Sequence, residues 1–161
     1  MKLIYKIFIL TTLTLMFNHC GFQPIYSYKQ SEVNTEYLAL LVSENPFEVQ
    51  ETFEEVFTNS KDSANYQLNV TIKDTNEPIL TNSDGTIAKY RTEVYSDFAL
   101  IDSNTKKVIF SGYTRGFAQY ETQTNEYGTE EKKREALKIA TLNALQSIPI
   151  KIQNYQSENS E

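Results

Sequence analysis

The sequence predicts an α+β two-layer sandwich of order β-α-β-β-β-α, with a mostly antiparallel four-stranded sheet and two helices on one face. Three observations lead there. Residues 86–101 alternate apolar and polar side chains for sixteen positions, the period of a strand. A turn-forming stretch, Asp102 to Lys106, follows and leads into a second alternating run at 107–119. Two further segments, 46–59 and 130–148, repeat their apolar residues at helical spacing. One apolar strand face and one apolar stripe per helix fit a sheet covered on one side.

The elements follow in chain order. Tyr37 to Ser43 (YLALLVS) is a short apolar run and reads as a buried strand. Asn45-Pro46 then predicts a helix start, with Asn45 as N-cap and Pro46 in the first turn. Phe47, Val49, Phe53, Val56 and Phe57 line one side of that helix, and Glu48, Glu51, Glu54 and Glu55 mostly take the other. Tyr66, Leu68, Val70 and Ile72 alternate with polar residues and predict a half-buried strand. The segment from Pro78 to Gly85 reads as a loop ending in a turn, where Gly85 supplies a positive φ.

In the long strand the even positions from Ala88 to Leu100 face the core, and Lys89, Arg91, Glu93, Tyr95 and Asp97 face outward. Pairing residue 101 with 107 brings the apolar faces together. Leu100 then faces Val108, Phe98 faces Phe110, Glu93 faces Arg115 and Tyr95 faces Tyr113. Gly112 and Gly116 fall in the core-facing row, where mid-strand glycine marks a close approach. The final helix offers Leu137, Ala140, Thr141, Ala144, Leu145 and Ile148, and its alanines suit close packing on those glycines. Pro149 limits this helix, and the polar residues 153–161 are expected to be disordered.

The amino terminus has a different character. Lys2 and Lys6 precede eleven uncharged residues, Ile7 to Phe17. That run is too short to span a bilayer, which needs about 20 apolar residues, and it fits a secretory signal. The only cysteine, Cys20, follows it directly. A lone cysteine there is explained by acylation of its thiol, with a diacylglycerol and an N-acyl chain as the covalent anchor. Residues 1–19 then form a lipoprotein signal peptide, 20–36 a lipidated tether, and 37–152 the folded domain.

Cleavage after His19 changes the available chemistry. Loss of Lys2 and Lys6 takes the formal charge from −6 to −8, which disfavours nucleic acid as a partner. The only histidine is removed too, and the sequence contains no tryptophan. Ser-His-Asp and Cys-His catalysis and His- or Cys-based zinc sites are thereby excluded. No metal spacing and no phosphate-cradling glycine loop occurs. The composition points to a binding or assembly protein rather than an enzyme, with no cofactor beyond the lipid on Cys20. Among outward-facing residues, Lys89, Arg91, Tyr95, Tyr113, Arg115 and Phe117 form the candidate contact surface. Bases between rings can hold an anionic, partly apolar ligand or dock on a protein. A polar outer face with a few tyrosines is the plain alternative.

Several segments together resemble a family. Cys20-Gly21-Phe22-Gln23-Pro24-Ile25-Tyr26 resembles the CGFxPLY opening of the lipopolysaccharide-assembly lipoproteins (LptE) of alphaproteobacteria. Asp84-Gly85-Thr86-Ile87-Ala88-Lys89-Tyr90-Arg91 is similar to that family's turn into its long third strand, and Ala136 to Ile152 to its C-terminal helix. The resemblance implies a lipid anchor on the periplasmic side of the outer membrane. It also implies that the domain plugs, and helps to assemble, a large β-barrel translocon (LptD) and contacts lipopolysaccharide. In the family, basic residues near the turn before the long strand touch the glycolipid. Here Asn82-Ser83-Asp84-Gly85 has none, and Lys89 and Arg91 are the nearest bases. The alternatives are an adaptor or pilotin lipoprotein of another envelope machine, and an anchored enzyme working through carboxylates such as Asp84 and Glu93.

Overall fold

The computed structural model describes residues 37–58 and 64–158. The proposed signal, Cys20 and the tether lie outside the described residues. The elements are β1 (Tyr37–Leu41), α1 (Phe47–Val56), β2 (Tyr66–Thr81), β3 (Ile87–Asp102), β4 (Val108–Glu121), α2 (Glu126–Leu145) and α3 (Ser147–Glu158). The strands form one sheet of order β1-β2-β3-β4, with β1 parallel to β2 and the other pairs antiparallel. This is the expected two-layer α+β arrangement, with its last helix broken at Gln146.

The core forms where the strand and helix periodicities meet. Leu68, Val70 and Ile72 of β2 and Val94, Phe98 and Leu100 of β3 are buried with Val49, Phe53 and Phe57 from α1 and its C-cap. The same cluster takes in Leu137, Ala140, Ala144 and Leu145 of α2 and Ile148 and Ile152 of α3. All three helices therefore cover the same sheet face. A fully buried leucine in such a cluster contributes about 2 kcal/mol by leaving water.

Helix α1 starts differently from its sequence reading. Pro46 is the N-cap (φ −55°, ψ 156°), and its carbonyl accepts the N–H groups of Val49 and Gln50 at 3.1 and 3.2 Å. The Asn45 amide turns back and donates to the Ser43 carbonyl at 2.6 Å. It therefore closes the loop and leaves the helix without a side-chain cap. Strand β2 also runs further, because Pro78 to Thr81 belong to it and not to a loop. Their register against β3 breaks between Pro78 and Leu80, as expected where proline lacks a ladder donor. The turn beyond has Gly85 at φ +87°, the positive value its sequence called for.

The β3–β4 register is a second correction. Ile101 pairs with Val108, and a bulge then puts Leu100 opposite Phe110, Phe98 opposite Gly112 and Tyr95 opposite Arg115. From Phe110 onward the shift is two residues from the expected pairing, so those side chains keep their faces while their partners change. Val108 is the exception: expected opposite Leu100 in the core, it lies opposite Ile101 and is 58% exposed. The hairpin loop sets this offset. The Asp102 carboxylate accepts N–H groups from Asn104 at 2.9 Å and Thr105 at 2.7 Å, and Lys106 takes a left-handed φ of 58°. Those bonds, Thr105 first, hold the Asp102 carboxyl below the usual carboxylate range.

The two strand glycines serve separate purposes. A Cβ on Gly116 would collide with the Ala140 carbonyl and lie 2.6 Å from the Ala144 nitrogen. The helix backbone thus rests directly on β4. At Gly112 the neighbour is the Phe98 ring, 3.0 Å from where a Cβ would be, so this glycine admits a cross-strand aromatic and not the helix.

Helix α2 begins at Glu126, four residues before its expected start, because the Asn125 side chain caps it by accepting the Gly128 N–H at 2.7 Å. Pro149 starts a helix more than it ends one, since it lies in the first turn of α3, where a missing N–H costs nothing. Residues 153–158, expected to be disordered, complete α3. Tyr155 there stacks on Phe110 with ring centroids 4.5 Å apart.

Two outcomes follow. Gly116→Ala pushes α2 off the sheet and should cost about 3 kcal/mol or more, against about 1 kcal/mol for Gly112→Ala, where a ring edge can yield. Urea denaturation of both variants checks the ordering, and equal losses would contradict it. The second concerns Tyr37, packed edge-on against Phe57 at 6.3 Å. Burial pushes its phenol up to about 12. The unfolded chain loses this proton near pH 10, so the stabilisation is complete below pH 10 and disappears as pH rises towards 12. Tyr37→Phe should flatten the loss of urea midpoint between pH 10 and 12.

Candidate interaction face

Among the described residues the helices leave the other sheet face bare, and strand alternation puts the odd-numbered residues of β2, β3 and β4 on it. Its rows follow from the register. Glu77, Arg91 and Gln119 form one, Thr75, Glu93 and Phe117 the next, then Lys73, Tyr95 and Arg115, then Thr71, Asp97 and Tyr113. All six candidate residues thus come from the predicted face. Beyond them the face turns apolar, with Leu38 and Leu40 of β1 beside Gln67 and Asn69, and Ile101 opposite Val108.

At the centre four side chains form a chain of contacts. The Arg91 guanidinium lies over the Phe117 ring, 5.7 Å from its centroid. Its Nη1 is 3.6 Å from Glu93 Oε1, while its Nε is buried without a hydrogen-bond partner among the described residues. Glu93 Oε2 accepts the Tyr95 hydroxyl at 2.6 Å. That bond, with the glutamate charge behind it, raises the Tyr95 phenol above its ordinary value, while Arg115 across the strand pulls the other way. Glu93 therefore bridges neighbours on its own strand and is not the cross-strand partner of Arg115.

The margin at β4 is built differently. Tyr113 is 67% exposed and Phe117 59%, the two most open rings of the face. Lys151 of α3 reaches round the sheet edge, donates to the Tyr113 carbonyl at 2.9 Å and sits 5.6 Å from that ring's centroid. Lys89 is drawn to Glu121 at 3.2 Å. It lines an open cleft of about 350 Å³ with Tyr120, Lys132 and Glu135, and so stands at the border of the face. Lys151 and Glu121 were not foreseen, and the sequence carries no signal that Lys151 reaches round the sheet edge.

The face is thus mixed in charge and rich in rings. Such a surface can stack on apolar or planar groups and exchange its own ion pairs for those of a partner. Exposed pairs of this kind contribute between about 0 and 1 kcal/mol each, so rearranging them costs little. Among the described residues no group of three or more His, Cys, Asp and Glu is placed to hold a metal ion. No helix among them is long and apolar enough to cross a membrane.

Replacing Tyr113 and Phe117 by serine should lower stability by no more than about 1–2 kcal/mol, since the exposed contacts of these rings with Lys151 and Arg91 are worth about 0.5–1 kcal/mol each. A larger fall in the denaturation midpoint would mean that these rings hold the fold together.

No family model matches this chain, and no curated protein matches it either. Solved structures do. A protein described as a lipoprotein from Caulobacter crescentus superposes with a TM-score of 0.62 at 13% identity, covering 79% of this chain and 94% of that one. Rare lipoprotein B from Shewanella oneidensis gives 0.62 at 13% identity, covering 78% and 99%. Lipoprotein B from Nitrosomonas europaea gives 0.58 at 10% identity, covering 76% and 84%. At these identities the likeness is one of fold, and the fold is one found in bacterial lipoproteins.

Proposed function

We propose that this chain is a lipid-anchored outer-membrane lipoprotein of the LptE type, which plugs and helps to assemble an LptD-type β-barrel and so supports lipopolysaccharide insertion. The observation that carries this reading is the shared fold. It accounts for 94% and 99% of two lipoprotein chains, and here it follows a secretory signal and the motif from Cys20 to Tyr26. A compact plug with one bare, ring-bearing sheet face suits the inside of a barrel, where many polar contacts line a wide wall.

A direct glycolipid contact fits Lys89 and Arg91 better than the hairpin tip. The tip residue Asp84 accepts both the Thr86 hydroxyl at 2.6 Å and the Thr86 N–H at 2.9 Å. Those bonds hold its carboxyl below the ordinary range, so the tip keeps a negative charge that repels phosphate.

The test is capture in the native host. Affinity-tagged full-length protein extracted in detergent should bring down a much larger outer-membrane barrel, and depletion should raise periplasmic lipopolysaccharide. Cys20→Ala should move the protein from the membrane to the soluble periplasmic fraction. Tyr113→Ala with Phe117→Ala should weaken capture by about tenfold or more, the effect expected of aromatic anchors. Normal surface lipopolysaccharide in a depleted strain would sink this reading, and a secretin or other machine as the captured partner would favour an adaptor or pilotin role.

A further inference from the structure

Sheet edges offer unpaired main-chain groups, and folded proteins usually cover them. Two of the exposed edges here are dealt with. On β4, Lys151 occupies the Tyr113 carbonyl at 2.9 Å and the Asn143 amide reaches the Phe117 carbonyl at 3.5 Å. On the outer half of β2, Pro78 and the adjoining register break interrupt the ladder.

The edge of β1 is different. The Val42 N–H donates to the Val70 carbonyl at 2.9 Å, and Ser43 Oγ accepts the Ile72 N–H at 3.1 Å. Even-numbered residues of β1 thus turn their main-chain groups towards β2. By strand alternation the N–H and C=O groups of Tyr37, Ala39 and Leu41 point away from the sheet, where no strand lies among the described residues. An open groove of about 630 Å³ runs beside them, between β1 and α1, with Phe53 and Phe57 in its lining and Glu44 and Glu54 on its rim. The acids in and just before α1 divide by side. Glu48 and Glu51 bridge to Arg134 and Lys138 of α2, whereas Glu44 and Glu54 have no salt bridge among the described residues.

We propose that this groove takes up an extended basic segment of a partner protein, added as a fifth strand alongside β1. The outward main-chain groups of Tyr37, Ala39 and Leu41 supply the ladder. Alternate apolar side chains of the segment meet Leu41 and the groove-facing edges of the largely buried Phe53 and Phe57, and its lysines or arginines meet Glu44 and Glu54. This is the strand-addition mode of peptide recognition, in which the backbone gives affinity and flanking groups give selectivity. The groove lies at the opposite edge of the sheet from β4, so its occupant is independent of contacts made by Tyr113 and Phe117.

The probe is a fluorescent peptide alternating lysine and valine, titrated against the full-length protein in detergent. Saturable binding is expected, weakened about tenfold or more by N-methylating alternate peptide amides, since each methyl removes a donor to the main-chain carbonyls of Tyr37, Ala39 and Leu41. Glu44→Gln with Glu54→Gln should weaken it similarly. Binding should slow amide hydrogen exchange at Tyr37, Ala39 and Leu41 and leave β4 unchanged. The proposal fails if the peptide does not bind, if N-methylation has no effect, or if protection falls elsewhere. It fails equally if those three amides already exchange slowly without peptide, because the chain itself would then cover the edge.

Discussion

The close approach of α2 to Gly116 is the contact on which the rest of the architecture depends. Where a side chain would stand, the Ala140 carbonyl, the Ala144 nitrogen and the Asn143 Cβ stand instead. At this separation the helix presses its backbone on β4, and only small residues fit on either side. From that position α2 shares one buried cluster with α1, Val49, Phe53 and Phe57 lying with Leu137, Ala140, Ala144 and Leu145, and the Glu48–Arg134 and Glu51–Lys138 pairs rim it. It also delivers α3 to the sheet margin, where Tyr155 stacks on Phe110 and Lys151 seals the β4 edge. One backbone contact thus commits all the helical mass to one face, and the bare opposite face is its consequence.

The faces were legible in the sequence because burial has the same period as the strand. Every core residue of β3 was placed by alternation, and the pairing of strand glycine with helix alanine pointed to the α2 contact. The partners were not legible. A two-residue slip between β3 and β4 keeps each side chain beyond it on its face, so the pattern cannot detect it; the hairpin loop supplies one residue of the slip, pairing Ile101 with Val108, and a bulge at Ile109 supplies the other. Glu93 opposite Arg115 therefore became Glu93 opposite Phe117. Strand β2 was cut short at Ile72 for a related reason. Beyond that residue the strand leaves the helix-covered core, every position is exposed, and the apolar signal stops while the hydrogen-bonded pairing continues. The last turns of α3 were missed because the polar run after Ile152 says nothing of Tyr155, whose stack on Phe110 ties them to the body.

The outer half of the β2–β3 hairpin holds its shape without a core of its own. Asn76 donates to the Tyr120 hydroxyl at 2.8 Å and accepts the Thr92 hydroxyl at 3.2 Å. Tyr120 in turn stacks on Tyr90 at 5.3 Å. These contacts join β2, β3 and β4 just past the end of the apolar cluster. Polar bonds are directional where apolar packing is not, so they pin register as well as position. Without them two long strands would gain little from apolar burial and would be marginal on their own. The arm therefore carries the bare face outward in a defined geometry, as the proposed contact with a barrel wall requires.

Affinity and selectivity have separate sources on that face. Burying the exposed part of a ring such as Tyr113 or Phe117 contributes on the order of 2 kcal/mol, whereas an exposed ion pair contributes less than about 1 kcal/mol. In the proposed contact the rings would therefore supply most of the binding energy. The charges act chiefly through the cost of a mismatch, since Arg91 or Glu93 buried against a like charge loses its present partner and finds no replacement. A partner wall that supplies acceptors to Arg91 and Arg115, and a donor to Glu93 or Asp97, avoids that cost, and a wall with the opposite pattern is excluded by it. An acidic domain can in this way recognise a surface of mixed charge without any net attraction between the two bodies.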